Sequence, residues 1–128
     1  MALYPPIFPL INASPAVKAI IGSNPVRFYQ FGQNGDQPPQ YPYAVWQRTS
    51  GAPENYLSQR PDMDSFSIQI DAYSDSTTNG ATIVRNLAGA IRDAIEGDCH
   101  ITSWLGESRD PDTKAYRFTF LCDWWVPR

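Results

Sequence analysis

The segment FSIQIDAYS, residues Phe66–Ser74, decides the fold. Its side chains alternate between apolar and polar, which is the period of a strand with one buried face. The side chains predicted to face the core are Phe66, Ile68, Ile70 and Ala72. Those predicted to face the other way are Ser67, Gln69, Asp71 and Tyr73. The alternation therefore predicts a strand inside a sheet that is covered on one face.

The segment that follows predicts the covering layer. Residues 75–78, Asp-Ser-Thr-Thr, are rich in N-cap side chains and predict the start of a helix that ends near Glu96. Apolar residues recur every four positions along it: Ile83, Leu87, Ile91 and Ile95. A helix of this length, roughly 30 Å at 1.5 Å per residue, can cover one face of a small sheet.

Further elements are predicted on both sides of this pair. Strands are predicted at residues 26–31, 43–49, 99–105 and 116–126, and two short helices between Pro5 and Gly22, the second capped by Ser14-Pro15. In the last strand, the core-facing set is Tyr116, Phe118, Phe120, Cys122, Trp124 and Val126. The sequence predicts an α+β fold in a single domain, residues 1–128. It consists of an antiparallel or mixed β-sheet of about five strands, with one long and one or two short helices packed on one face.

Composition narrows the function classes. The chain has 128 residues, 42% hydrophobic and 18% charged, with a formal net charge of -3. No basic stripe is visible, which argues against a protein that grips nucleic-acid phosphates but not against DNA passing nearby. No apolar run approaches the roughly 18 residues of a membrane span. The start, MALYPPIFPL, lacks a basic region and contains prolines, so we expect no export signal.

Catalytic motifs are absent from the sequence. The single histidine, His100, is predicted to be a surface residue, and no nucleophile elbow, phosphate loop or metal-binding spacing occurs. Asp62 and Asp64, with Glu54 and Asp71 as further carboxylates, are the sharpest candidates for acid–base or metal chemistry, although aspartates before a strand commonly cap turns. We expect no enzyme, no cofactor and no metal. Cys99 and Cys122 are expected to be thiols in a cytosolic protein, with one disulfide left open.

Aromatic residues indicate a contact surface. In Trp124-Trp125 one indole is predicted to be in the core and the other exposed, and Tyr29, Trp46 and Trp104 are predicted on faces opposite the core. Exposed aromatics are typical of protein contacts, and a carbohydrate-binding face uses the same residues. Both alternatives stay open from the residues alone.

A long loop is predicted between two strands. SGAPENYLSQRPDMDSF, residues 50–66, shows no strand or helix period, and ordinary connections run about 4–6 residues. It either packs on its own subunit through Tyr56, Leu57 and Met63 or serves as a contact element.

The stretches NASPAVKAIIG, PVRFYQFG, YPYAVWQ, SGAPENYLSQRPDMDSFSIQIDAYS and RFTFLCDWWVPR, in this order, resemble a bacteriophage family. The chain is similar to the tail-completion proteins of long-tailed phages, which include tail terminators and head-to-tail joining proteins. The resemblance implies a hexameric ring that caps the tail tube, ends tube polymerisation and joins the tail to the head connector. The implied partners are copies of the chain itself, the tail tube protein and the connector proteins, with genomic DNA passing through the lumen. The implied location is the neck of the virion, after assembly in the host cytoplasm.

The resemblance also gives the long loop a role. As part of a ring subunit it would supply interaction residues: Glu54, Asn55, Tyr56, Arg60, Asp62 and Asp64, with the exposed Trp125 added. A connector-side completion protein is an alternative within the family. The alternatives from other classes are a small carbohydrate- or host-surface-binding module and an acid-pair hydrolase.

Overall fold

The structure is a computed structural model that describes residues 4–23, 25–32, 39–55, 60–77 and 79–128. Helices and strands follow one another in the predicted order: two short helices, three strands, one longer helix and two strands. Their bounds are α1 Ile7–Asn12, α2 Pro15–Ile21, β1 Phe28–Gln30, β2 Tyr43–Pro53, β3 Met63–Ser74, α3 Gly80–Ile95, β4 His100–Arg109 and β5 Tyr116–Pro127.

The strands form one mixed sheet in the order β1-β2-β3-β5-β4. β1 runs parallel to β2, whereas β2–β3, β3–β5 and β5–β4 are antiparallel pairs. β3 therefore lies at the centre, as expected for the most regular alternating segment of the chain. The α+β fold with a mixed five-stranded sheet confirms the predicted class.

The core lies between one face of the sheet and the three helices. From β3 and β5 it takes the predicted inward set, of which Ile68, Ile70 and Phe120 are fully buried. From α3 it takes Leu87 and Ile91, also fully buried, while Ile83 is only half-buried. The two short helices add one apolar pair each: Ile7 with Ile11, and Val17 with Ile21. The opposite face of the sheet has no helix on it among the described residues.

Helix starts follow their caps. The Ser14 hydroxyl accepts a hydrogen bond from the Val17 N–H at 3.3 Å, which confirms the predicted cap of α2. α3 begins later than predicted, at Gly80, because the Asp75 carboxylate accepts from the Thr77 N–H and hydroxyl in a local turn. With 16 residues, α3 is about 24 Å long, shorter than expected. No helix among the described residues is long and apolar enough to cross a membrane.

The predicted loop at residues 50–66 is wrong at both ends, since residues 50–53 and 63–66 are strand, and residues 56–59 lie outside the described part of the chain. β2 continues to Pro53 and β3 already begins at Met63, so the two form a long hairpin. The register shifts between Arg48 and Ser50, and this irregularity breaks the alternation that sequence reading depends on. β4 likewise continues to Arg109 past two register shifts, and β1 is shorter than predicted.

The two cysteines lie close together as free thiols. Cys122 is fully buried in β5, and Cys99 precedes β4 instead of lying in it. The Trp124 indole N–H donates to the Cys122 sulfur at 3.2 Å. The pKa of the Cys99 thiol is raised by its hydrogen bond with Cys122 and by burial, which keeps this thiol protonated at neutral pH.

Candidate assembly surfaces

The β2–β3 hairpin ends in an exposed ribbon, here called the hairpin arm, of residues 48–55 and 60–65. Every residue from Arg48 to Asn55 is exposed. The arm is held by its ladder and by cross-strand bonds: the Ser65 hydroxyl donates to the Ala52 carbonyl at 3.2 Å, and the Glu54 N–H donates to the Met63 carbonyl at 2.9 Å. The arm is therefore a regular extension of β2 and β3, and its β3 side stays paired with β5 from Met63 to Ser65.

An arginine at the far end of β5 fixes the base of the arm. The Arg128 guanidinium donates to both carboxylate oxygens of Asp64, at 3.1 and 2.9 Å. The Arg128 N–H donates to the Asp62 carbonyl at 2.8 Å. Bidentate arginine–carboxylate pairs are directional, so this clamp orients the arm relative to β5. The Asp64 carboxylate, predicted to be an interaction group, is thus occupied within its own chain.

The remaining predicted interaction residues divide into two groups. Glu54, Asn55, Arg60 and Asp62 are exposed residues near the end of the arm, and Tyr56 lies outside the described residues. Trp125 is 45% exposed and pairs with Ser65, so it lies next to the base of the arm. Its indole contacts the His100 ring edge-on, with the centroids 5.6 Å apart. The structure therefore brings the described members of the predicted set to one end of the sheet.

The candidate acid cluster does not assemble. Asp64 is clamped by Arg128, and Asp71 lies seven residues further along β3 on the opposite face. Within the described ranges, no group of three or more histidine, cysteine, aspartate or glutamate side chains could hold a metal ion. The Asp64 and Asp71 carboxylates thus act as hydrogen-bond acceptors within the arm and the sheet.

A polar cluster on the uncovered face of the sheet was not predicted from the sequence. Asp71 is only 6% exposed and accepts from the Thr119 hydroxyl at 2.6 Å and from the Arg117 guanidinium at 3.1 Å. Gln69 donates to the same carboxylate at 3.1 Å. A buried carboxylate needs such partners, and together they tie β3 to β5. The sequence feature that could have indicated this cluster is Asp71, an aspartate at an outward position of the central strand.

Four tyrosines form a row at the end of this cluster, a second feature that sequence reading missed. Tyr43 stacks on Tyr73 with ring centroids 4.9 Å apart, and Tyr41 lies 5.3 Å from Tyr43. Tyr29 completes the row at 6.3 Å from Tyr43. Burial, followed by the neighbouring Tyr41 and Tyr73, raises the pKa of Tyr43 to about 12. Tyr43 therefore stays neutral well above physiological pH.

The raised pKa of Tyr43 gives a testable pH dependence. In the unfolded chain Tyr43 ionises near the ordinary tyrosine pKa of 10.0, while the folded chain keeps its proton to about 12, so folding stability should fall as pH rises through this window. An absorbance titration of tyrosinate should show a late-ionising fraction in the wild-type protein that Tyr43→Phe reduces but does not abolish, because burial also raises the pKa of Tyr73. Tyr4→Phe, at an exposed tyrosine, should leave that fraction unchanged. An undiminished late-ionising fraction in Tyr43→Phe would contradict the assignment.

Trp46 corrects the predicted set of exposed aromatics. It is 3% exposed, because the register pairs it with Ile70 and places it on the core face of β2. Tyr29 is half-buried. Trp104 is 47% exposed, but its predicted face is wrong, because the register pairs it with Phe120 on the face that the helices cover. The predicted division of Trp124 and Trp125 is confirmed, with the first indole in the core and the second exposed.

Solved structures share this fold. A chain in the virion of a native gene transfer agent particle superposes with a TM-score of 0.67 and 14% identity, covering 95% of this chain and 92% of that chain. The gp17 protein of bacteriophage SPP1 superposes with a TM-score of 0.53 and 11% identity, covering 95% of this chain and 86% of that chain. At these identities the likeness shows the fold alone. No curated protein matches the chain in sequence.

The family follows from a sequence match. The profile of the family described as tail completion protein gp17 matches residues 5–127, nearly the whole chain. This confirms the resemblance drawn from the sequence, and the chain belongs to the tail completion protein gp17 family, a family of structural proteins of the phage tail.

Proposed function

We propose that this protein is a tail terminator that forms a hexameric ring on the tail tube. In this role it ends tube polymerisation and joins the tail to the head connector, without catalysis and without a cofactor. The observation that carries the proposal is the hairpin arm, an ordered ribbon with exposed residues from Arg48 to Asn55 on a sheet of the tail-completion fold. A ring subunit must contact neighbours, tube and connector at once, and an exposed ribbon at the end of the sheet provides contacts without disturbing the core.

Several features support the partners of this role. The arm presents charged and amide side chains on a base held by the clamp between Arg128 and Asp64. Trp125 adds an exposed aromatic next to that base, a residue type common at contact hot spots. The net charge of -3 suits a lumen through which the genome slides without being gripped. The protein works in the virion neck and is assembled in the host cytoplasm.

Arg60→Ala tests the arm as an assembly surface. Arg60 is exposed, so its truncation should change the free energy of unfolding by no more than about 0.5 kcal/mol. Truncating one partner of a desolvated interface pair costs about 2–5 kcal/mol, and a ring repeats that loss at every subunit. Phage or prophage complemented with Arg60→Ala should therefore yield overlong tails or tails without heads in electron micrographs.

The matched control for Arg60→Ala is Arg92→Ala. Arg92 lies on α3 with a half-exposed guanidinium paired to Asp93, away from the arm, and its truncation should leave tails normal. Tails of normal length that fail to join heads in the Arg60 variant would favour the connector-side alternative. Normal tails and normal titre would remove the arm from the assembly surface, and a large loss of monomer stability would assign Arg60 to intrachain packing.

A further inference from the structure

Large apolar side chains remain exposed at two opposite edges of the sheet. Among the described residues these side chains are Tyr4, Phe8, Phe31, Trp104, Leu105 and Trp125. Tyr4 precedes α1, Phe8 lies in α1 and Phe31 follows β1. Trp104 and Leu105 belong to β4. β1 and β4 are the two edge strands of the sheet. Trp125 is the exception and lies on the inner strand β5.

One row of the sheet connects the two edges. Through the strand registers, Gln30 pairs with Trp46, Trp46 with Ile70, Ile70 with Phe120, and Phe120 with Trp104. Trp46, Ile70 and Phe120 are all buried on the face that the helices cover. The row therefore places the edge residues Gln30 and Trp104 at the same height on that face.

The two ends of this row have opposite shapes. At the β1 edge a groove, here called the α1 groove, is lined by Tyr4, Phe8, Phe28 and Trp46 together with prolines of the α1 segment. At the β4 edge, Trp104 packs on Phe120 and edge-on against Phe118 with ring centroids 5.0 and 5.8 Å apart, while 47% of it stays exposed. One edge thus offers an oriented apolar knob, and the other offers an apolar depression.

The strand directions also match. β1 runs with β2, and each further step across the sheet reverses direction, so β4 runs opposite to β1. In two copies related by rotation about a ring axis, the β4 edge of one would meet the β1 edge of the next in antiparallel orientation. Edge strands present unpaired backbone groups that favour such a neighbour.

We propose that Trp104 of one copy seats in the α1 groove of the next copy, with the β4 edge lying against the β1 edge. The occupant of the groove is a second copy of this chain, because the chain itself carries a matching knob at the same height and on the same side of its sheet. The contact is heterologous, so each added copy leaves one knob and one groove open until a ring closes. The inference rests on the ring of the proposed function and leaves the hairpin arm for the tube or the connector.

Two variants block the two halves separately. Trp104→Glu removes the knob, and Phe8→Glu places a charge in the groove. Loss of a tryptophan that is buried at a contact hot spot weakens association by at least about 30-fold. Light scattering after gel filtration, at a concentration where the wild-type protein assembles, should find each variant monomeric. An equal mixture should form dimers and nothing larger, because Phe8→Glu keeps its knob and Trp104→Glu keeps its groove. Asn86→Glu, at an exposed position of α3 that belongs to neither edge strand, should assemble like wild type.

The outcomes separate this contact from the ring itself. Assembly of wild type and of Trp104→Glu alike would overturn the contact and leave the ring standing. Dimers of Phe8→Glu alone, or no dimers in the mixture, would overturn the knob-and-groove pairing. A wild-type protein that stays monomeric at high concentration would overturn the ring and the contact together. If Trp104→Glu melts well below wild type, Trp104→Ala, which removes the indole without placing a charge beside Phe118 and Phe120, replaces it in the same scheme.

Discussion

Leu87→Ala should lower the free energy of unfolding by about 2–5 kcal/mol, the range for truncating a fully buried leucine. Leu87 is 0% exposed and lies on the face of α3 that packs against β3 and β5. Removing its side chain takes away apolar burial and leaves a cavity that a close-packed core fills only in part. Urea unfolding followed by tryptophan fluorescence measures the change directly.

The control lies one residue earlier on the same helix. Asn86 is exposed, so Asn86→Ala should change the free energy of unfolding by no more than about 0.5 kcal/mol. Equal midpoints for wild type and Leu87→Ala would show that α3 does not cover the sheet as described.

Gly80→Ala and Gly89→Ala should shift stability in opposite directions, although both glycines lie in α3. At Gly80 a Cβ would collide with the backbone carbonyl of Asp75 and approach Tyr116 Cδ2 at 2.7 Å. Because the backbone oxygen cannot move aside cheaply, we expect a loss of about 3 kcal/mol, the upper end for overpacking. At Gly89 the nearest atom is an Arg92 guanidinium nitrogen 4.0 Å away, so alanine should gain about 0.5–1 kcal/mol from its helix propensity.

Thermal and urea unfolding of the two variants provide the test. Each serves as the other's control, since the substitution and the helix are the same and only the surroundings of the Cβ differ. Two changes of the same sign would refute the close packing of Gly80 between the turn at Asp75 and the start of β5.

Local patterns were sufficient for the class of fold. The alternation from Phe66 to Ala72 and the four-residue spacing from Leu87 to Ile95 each depend only on neighbours in the chain, and both were confirmed. What the patterns missed depends on partners far along the chain. Trp46 was misplaced because its face is set by pairing with Ile70 across the sheet. The continuation of β2 past Arg48 was also missed, because the register shift there is defined by pairing with β3.

The candidate surfaces were predictable only in part. The predicted residues of the arm do lie at one end of the sheet, but their role in assembly remains a prediction. The clamp could not be seen, since Arg128 and Asp64 are 64 residues apart. The tyrosine row combines β1, the segment before β2, β2 and β3, and no local period signals that combination.

The central position of β3 has a consequence for synthesis on the ribosome. β3 can pair with β2 as soon as both strands have left the ribosome. Its other edge stays unpaired until β5 has been synthesised, and Arg117 of β5 follows its partner Asp71 by 46 residues. At about 5–20 residues per second, this edge stays open for about 2–9 s. During that interval the most buried strand of the sheet presents unpaired backbone groups to any other extended chain. Nascent copies on neighbouring ribosomes of one messenger pass through this stage close to one another and are the chains most exposed to mispairing, and slower translation between β3 and β5 should increase their aggregation.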